Sequence, residues 1–205
     1  MREVLDRSAG VRLSADEYRA DFRERFWQSH EYDFWKLERR QTFAEPGDES
    51  WVAFSHGDWE TALRLIAARR PQYESDARRM AELGFASYRV RVVEAPLTPY
   101  LQWELRLLRL MGATSDRVRV LDAARVGLHE ASGPLPEVVT LGADVTYEVL
   151  YDDAGLADGA IRHTGAALTA ACRQFIARLY ESGEDVVAYV DREVAALPPP
   201  VPPRG

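Results

Sequence analysis

Residues 88–121 leave this chain few ways to fold. Tyr88–Val93 (YRVRVV) alternates basic and apolar residues, and Ala95-Pro96 turns the chain. Leu97–Met111 is apolar around most of its helical circumference, Gly112 stops the helix, and Asp116–Leu121 (DRVRVL) alternates again. Strand, helix and strand at this spacing predict a crossover and a parallel pair, because parallel strands need a connection of a dozen or more residues between them.

The flanking sequence supplies the rest. Ser14 and Glu17 have the spacing of a capping box, and Tyr18, Phe22 and Phe26 then share one helical face. The aromatic and charged stretch 32–43 reads as extended. A helical region follows over 48–83, interrupted near Gly57 and bent at Pro71. Alternation over 144–152, a turn at Asp153-Ala154-Gly155 and a return over 156–163 predict a hairpin. Thr164 is placed to cap a helix that ends at Gly183, and a shorter amphipathic helix spans 185–197.

The expected fold is therefore α/β (α+β mixed). It is a single domain with a mixed four- to five-stranded sheet, a strand–helix–strand crossover, a C-terminal hairpin and flanking helices. Its divisions are a flexible leader over 1–13, a globular domain over 14–197 and a proline-rich tail over 198–205.

Composition narrows the function classes. Of 205 residues 46% are hydrophobic and 29% charged, enough for a core. The net charge of -7 makes the phosphate term repulsive overall, so direct nucleic-acid binding is not expected. Lys36 is the only lysine and asparagine is absent, which reflects GC-rich coding more simply than selection for arginine. With Cys172 alone, no disulfide can form within the chain. The N-terminus lacks the apolar core of a signal peptide and no segment has the length of an apolar span, so the expected location is cytoplasmic, away from the membrane. His30, His56, His129 and His163 show no metal-ligand spacing, and no GxSxG elbow, GxGxxG or Walker loop occurs. No catalytic residue, metal or cofactor is assigned.

The chemistry that does stand out is charge placed where a core belongs. On the wheel of Leu97–Met111, Gln102, Arg106 and Arg109 occupy a narrow polar arc, while Glu104 falls inside the apolar one. An unpaired carboxylate there is costly, so Glu104 is expected to be paired, hydrogen-bonded or protonated. Arg89 and Arg91 share one face of the preceding strand, and Arg117 and Arg119 repeat the pattern on the next. The candidate ligand-binding residues are Arg89, Arg91, Glu104, Arg119, Tyr100 and Glu38. Two readings stay open: a pocket that clamps an anion, or an ion pair that ties helix to sheet.

Phe34-Trp35-Lys36-Leu37-Glu38, the strand Arg89-Val90-Arg91-Val92-Val93 and the helix start Pro96-Leu97…Tyr100…Glu104, followed by Val118-Arg119-Val120-Leu121-Asp122, resemble an uncharacterised actinobacterial domain-of-unknown-function family over roughly residues 22–190. The family's aromatic and acidic stretch before the hairpin is replaced here by Glu137-Val138-Val139-Thr140-Leu141-Gly142. Its members are similar to one half of a phospholipase D-like fold without the His-x-Lys-x-x-x-x-Asp motif, which is absent here too, and their genes often lie beside helix-turn-helix regulators. The resemblance implies a non-catalytic cytosolic accessory or sensor module linked to transcriptional regulation. Its expected partner is a helix-turn-helix regulator or another protein, or a small anionic ligand. The alternative is an unrecognised enzyme acting on a phosphorylated or carboxylated small molecule, with Glu104 or Glu38 as general acid or base.

Overall fold

The Ser14 hydroxyl accepts the Glu17 N–H, and the Glu17 carboxylate accepts the Ser14 N–H at 2.8 Å, so helix α1 (Ala15–Phe26) starts at the capping box. The computed structural model describes residues 1, 5–29 and 31–201. Residues 2–4 of the expected leader, His30 and residues 202–205 of the expected tail lie outside them. The other helices are α2 (Glu49–Ser55), α3 (Trp59–Ala68), α4 (Arg70–Glu82), α5 (Pro99–Gly112), α6 (Ala166–Ser182) and α7 (Val186–Glu193). The strands are β1 (Val11–Leu13), β2 (Phe34–Glu38), β3 (Ser87–Val93), β4 (Asp116–Asp122), β5 (Glu137–Leu141), β6 (Val145–Tyr151), β7 (Ala157–Thr164) and β8 (Glu184–Asp185). They form one mixed sheet in the order β1-β7-β6-β5-β2-β3-β4-β8.

The expected crossover is present: β3 and β4 run parallel, from Ser87 beside Asp116 to Val93 beside Asp122, and β2 runs parallel to β3. The sheet has eight strands rather than four to five. The additions are β1, β5 and β8. With three and two residues, β1 and β8 are too short to show alternation. β5 (EVVTL) is buried on both faces between β2 and β6, so it carries no period-two signature.

Three local expectations change. Val11–Leu13 of the leader pairs with β7, and Leu5 and Leu13 are buried. That pairing depends on Gly159, whose φ is +105° and where a Cβ would lie 2.1 Å from the Leu13 carbonyl oxygen. Thr164 ends β7 instead of capping α6, whose start follows Gly165 without a side-chain cap. At Pro71 the chain does not bend within one helix. It breaks at Arg69, and Pro71 sits in the first turn of α4, where its missing N–H costs nothing.

Helices cover both faces. On one face α6 packs on Trp35, Leu37, Val90, Val92, Leu121 and Val138. On the other, α1 covers Val139, Leu141, Val145, Tyr147 and Val149, while α5 and α7 cover Val93, Val118 and Val120. α2 and α3 form an outer layer, with Phe54, Ala62 and Ile66 against Tyr100, Trp103 and Leu110 of α5. Between the ground held by α1 and by α5 lies the middle of β2 and β3, and the residues there are charged.

Candidate functional site

Side chains alternate across a strand, so Lys36 and Glu38 of β2 face the same way. Parallel register sets Lys36 beside Arg89 and Glu38 beside Arg91. Glu38 accepts Lys36 Nζ at 2.5 Å and Arg89 Nη1 at 2.9 Å. Arg91, wholly buried, donates Nε to Glu104 Oε2 at 2.6 Å and Nη1 to the carbonyl of Val92 at 3.1 Å. Tyr100 donates its hydroxyl to Glu45 at 2.5 Å and also lies 3.2 Å from Glu104 Oε1. Five of the six expected residues therefore meet: Glu38, Arg89, Arg91, Tyr100 and Glu104.

Arg119 does not join them. Arg91 pairs with Val120 across the β3–β4 ladder, so Arg117 and Arg119 project to the opposite face. There Arg119 donates to the carbonyl of Gly183 at 3.2 Å and lies over the Tyr180 ring, which fastens the end of α6 to β4. Arg117 likewise lies over Tyr88.

The electrostatics of the network are uneven. Burial opposes ionisation of Glu38, but Arg89, Lys36 and Arg91 outweigh it and hold its pKa down to about 2. At Glu104 burial prevails over Arg91, with Glu38 and Glu45 adding repulsion, and the pKa rises to about 7. The hydrogen-bond geometry agrees. The Tyr100 phenol has one proton, engaged by Glu45, so a proton on Glu104 donated to the phenol oxygen satisfies the second contact.

Four cavities among the described residues lie elsewhere, and none is lined by Arg91, Glu104, Tyr100 or Glu38. Arg89 alone reaches one, near Ser87 and Asp116 at the amino ends of β3 and β4.

A cavity of about 360 Å³ opens instead just past the carboxyl end of β2, lined by Arg7, Arg39, Arg40, Glu94, Glu137, Glu148 and Tyr151 among others. Here the sheet changes sense: β3 lies parallel on one side of β2 and β5 antiparallel on the other. The cavity lies outside the carboxyl ends of β2 and β3, the end of the sheet at which open α/β folds bind ligands. The buried Glu137 carboxylate accepts the backbone N–H groups of Arg39 at 2.9 Å and Arg40 at 2.7 Å, and burial pushes its pKa up. Gln41 bridges the loops after β2 and β3, donating to Val92 O at 3.0 Å and accepting from the Glu94 N–H at 2.7 Å.

Within the cavity Arg39 is held by Glu130 and Glu94, both at 2.7 Å, and Arg7 by Glu148 through two bonds. Half-buried Arg40 has no carboxylate partner among the described residues, and its guanidinium lies 5.5 Å from the Tyr151 ring centre. The altered segment 137–142 thus holds β5, whose first residue shapes the cavity. Sequence reasoning missed Arg7, Arg39, Arg40 and Glu137. The one local signal was a Glu-Arg-Arg run directly after an aromatic strand.

Residues 20–191 match the model of a family described as a domain of unknown function, DUF6879. The chain belongs to that family. No curated protein and no solved structure matches it. For this DUF6879 member, no helix of the described residues is long and apolar enough to cross a membrane. Among the same residues no group of three or more His, Cys, Asp or Glu side chains is arranged to hold a metal ion.

Proposed function

We propose that the chain is a non-catalytic cytosolic module that binds a small anion, a carboxylate or phosphate, in the cavity beyond β2. Arg40 is the observation that carries this reading: a half-buried guanidinium with no carboxylate partner among the described residues, beyond the carboxyl end of β2. Arg7 and Arg39 flank it in ion pairs with Glu148, Glu130 and Glu94, which leaves Arg40 as the guanidinium open to a ligand. A link to transcriptional regulation, and a likeness to half of a phospholipase D-like fold, belong to this reading on the strength of the sequence resemblance. The charged network of Arg91 and Glu104 then lies outside the cavity and serves to keep the ends of β2 and β3 in place.

The test is calorimetric titration with inorganic phosphate and with mono- and dicarboxylates of increasing length. The expected result is saturable binding by one of these classes, lost in Arg40→Gln and kept in Arg119→Ala. Absence of binding by every probe at millimolar concentration, or undiminished binding to Arg40→Gln, overturns the reading. The enzymatic alternative would use Glu104, whose raised pKa suits an acid–base group. Tyr100, Arg91 and Phe43 enclose that carboxylate, which argues against substrate access.

A further inference from the structure

The polar arc of α5 is not used by the site above. Both α3 and α7 pack on α5, and between them a groove of about 420 Å³ runs along it. Its floor is apolar, formed by Leu63, Ile66, Leu110 and Val190, and its rim carries Arg70, Arg106 and Arg109 against a single acid, Asp191. Arg109 is paired with Asp191 at 2.7 Å, and Arg70 reaches Glu74 of its own helix only at 3.8 Å.

Arg106 differs from both. It is half-buried, lies 5.3 Å from the Trp59 ring centre and donates Nη2 to the Val194 carbonyl at 3.0 Å. No carboxylate pairs with it among the described residues, and its Nε is buried without an acceptor. The Val194 carbonyl ends α7 and offers only the partial negative charge of a helix C-terminus. A guanidinium withdrawn from water without a counter-charge is costly in the free chain, and a partner carboxylate would offset that cost on binding. One turn earlier on α5, Gln102 also leaves its Oε1 buried and unbonded.

We propose that the groove over α5 docks an acidic amphipathic helix of a partner protein. Its apolar stripe lies between α3 and α7, and its carboxylates meet Arg106 and Arg70. Charge complementarity selects this occupant. The chain carries -7 overall, yet this groove holds three arginines and one aspartate, so attraction to acid is local. An apolar floor with an arginine rim fits a helix laid into a groove, read as anchors at i, i+3, i+4 and i+7. Nucleic acid fits less well, because the overall charge repels phosphate and the aromatic face of Trp59 beside the groove is occupied by Arg106.

The experiment pans a displayed library of random peptides of helical length against the full chain at physiological salt. Synthetic copies of enriched sequences are then titrated by fluorescence anisotropy against the parent, Arg106→Gln, Arg109→Glu and Arg40→Gln. Each variant is first checked for an unchanged circular-dichroism spectrum. The expected result is peptides with a helical apolar stripe and flanking acids. Binding weakens about tenfold or more in Arg106→Gln and is unchanged in Arg40→Gln. Arg109→Glu supplies a second variant, at a half-buried position on the groove's rim, if Arg106→Gln fails to fold, and it too must weaken binding. No enrichment, enriched peptides without acids, or equal affinity for the groove variants overturns the proposal. So does efficient competition by a single-stranded oligonucleotide, or sedimentation showing a dimer of the parent that Arg109→Glu dissolves.

Discussion

Glu104→Gln separates two forces that act on one buried carboxyl. If burial prevails over Arg91, the Glu104 pKa moves from 4.5 in the unfolded chain to about 7 in the folded one. The folded state then binds the proton more tightly, so stability present below pH 4.5 is lost as pH rises through 7. At about 1.4 kcal/mol per pH unit, that interval amounts to about 3 kcal/mol. Glu38 has the opposite sign: its pKa of about 2 lends stability above pH 4.5 that is lost as pH falls towards 2. Glutamine imitates the protonated acid, still accepts the Arg91 N–H and does not titrate. Urea unfolding from pH 4.5 to about 8 should show the parent losing about 3 kcal/mol more than the variant. The two should coincide at the acidic end, with the variant the more stable at the alkaline end. A variant that is less stable by a constant about 3–5 kcal/mol, with a pH profile parallel to the parent, would falsify this. Glu104 would then be ionised throughout and Arg91 would outweigh burial.

Arg91→Met takes away the cation that favours ionised Glu104, so its cost in urea unfolding should grow as pH rises above about 7, while the double variant Arg91→Met/Glu104→Leu recovers most of the loss at about pH 8. A double variant as unstable as the single one would show that the cost lies in packing rather than charge. Gly159→Ala forces a side chain into a left-handed backbone and against the Leu13 carbonyl. The strain alone is about 1–3 kcal/mol, and amide exchange over residues 11–13 should accelerate more than in β3. Arg119→Ala removes long bonds to the end of α6 and its contact with Tyr180, a loss of about 1 kcal/mol by thermal unfolding, and leaves anion binding untouched.

What could be read in advance follows sequence distance. Arg91 and Glu104 lie thirteen positions apart within one strand–turn–helix, and two local periodicities, of 2.0 and 3.6, placed them on facing surfaces. Arg119 was placed by the same alternation and came out on the wrong face. Alternation tells which residues of a strand share a face but not how two strands are registered, and a shift of one residue reverses the assignment. Arg40 and Glu137 are 97 positions apart. Their meeting depends on β5 returning to the far side of β2, and β5 has no alternation to announce it because both its faces are buried.

The two charged regions have one geometric origin. The crossovers carry the chain from β2 through β3 to β4 in one direction, and α5 follows them. β5, β6 and β7 build away from β2 in the other direction, and α1 covers that half. Neither helix can sit over the middle of β2 and β3, so that strip is filled by long polar side chains bonded to one another: Lys36 and Arg89 to Glu38, and Arg91 to Glu104. At the end of the same strip β2 stops, and the loop after it meets the segment that leads into β5. There Glu148 holds Arg7, and Glu130 and Glu94 hold Arg39, which leaves Arg40 over Tyr151 beside an open cavity. The closed ion network and the open site are thus two parts of one row, divided by where the backbone ends. Substitutions within the network should act on stability, and those at its open end on binding.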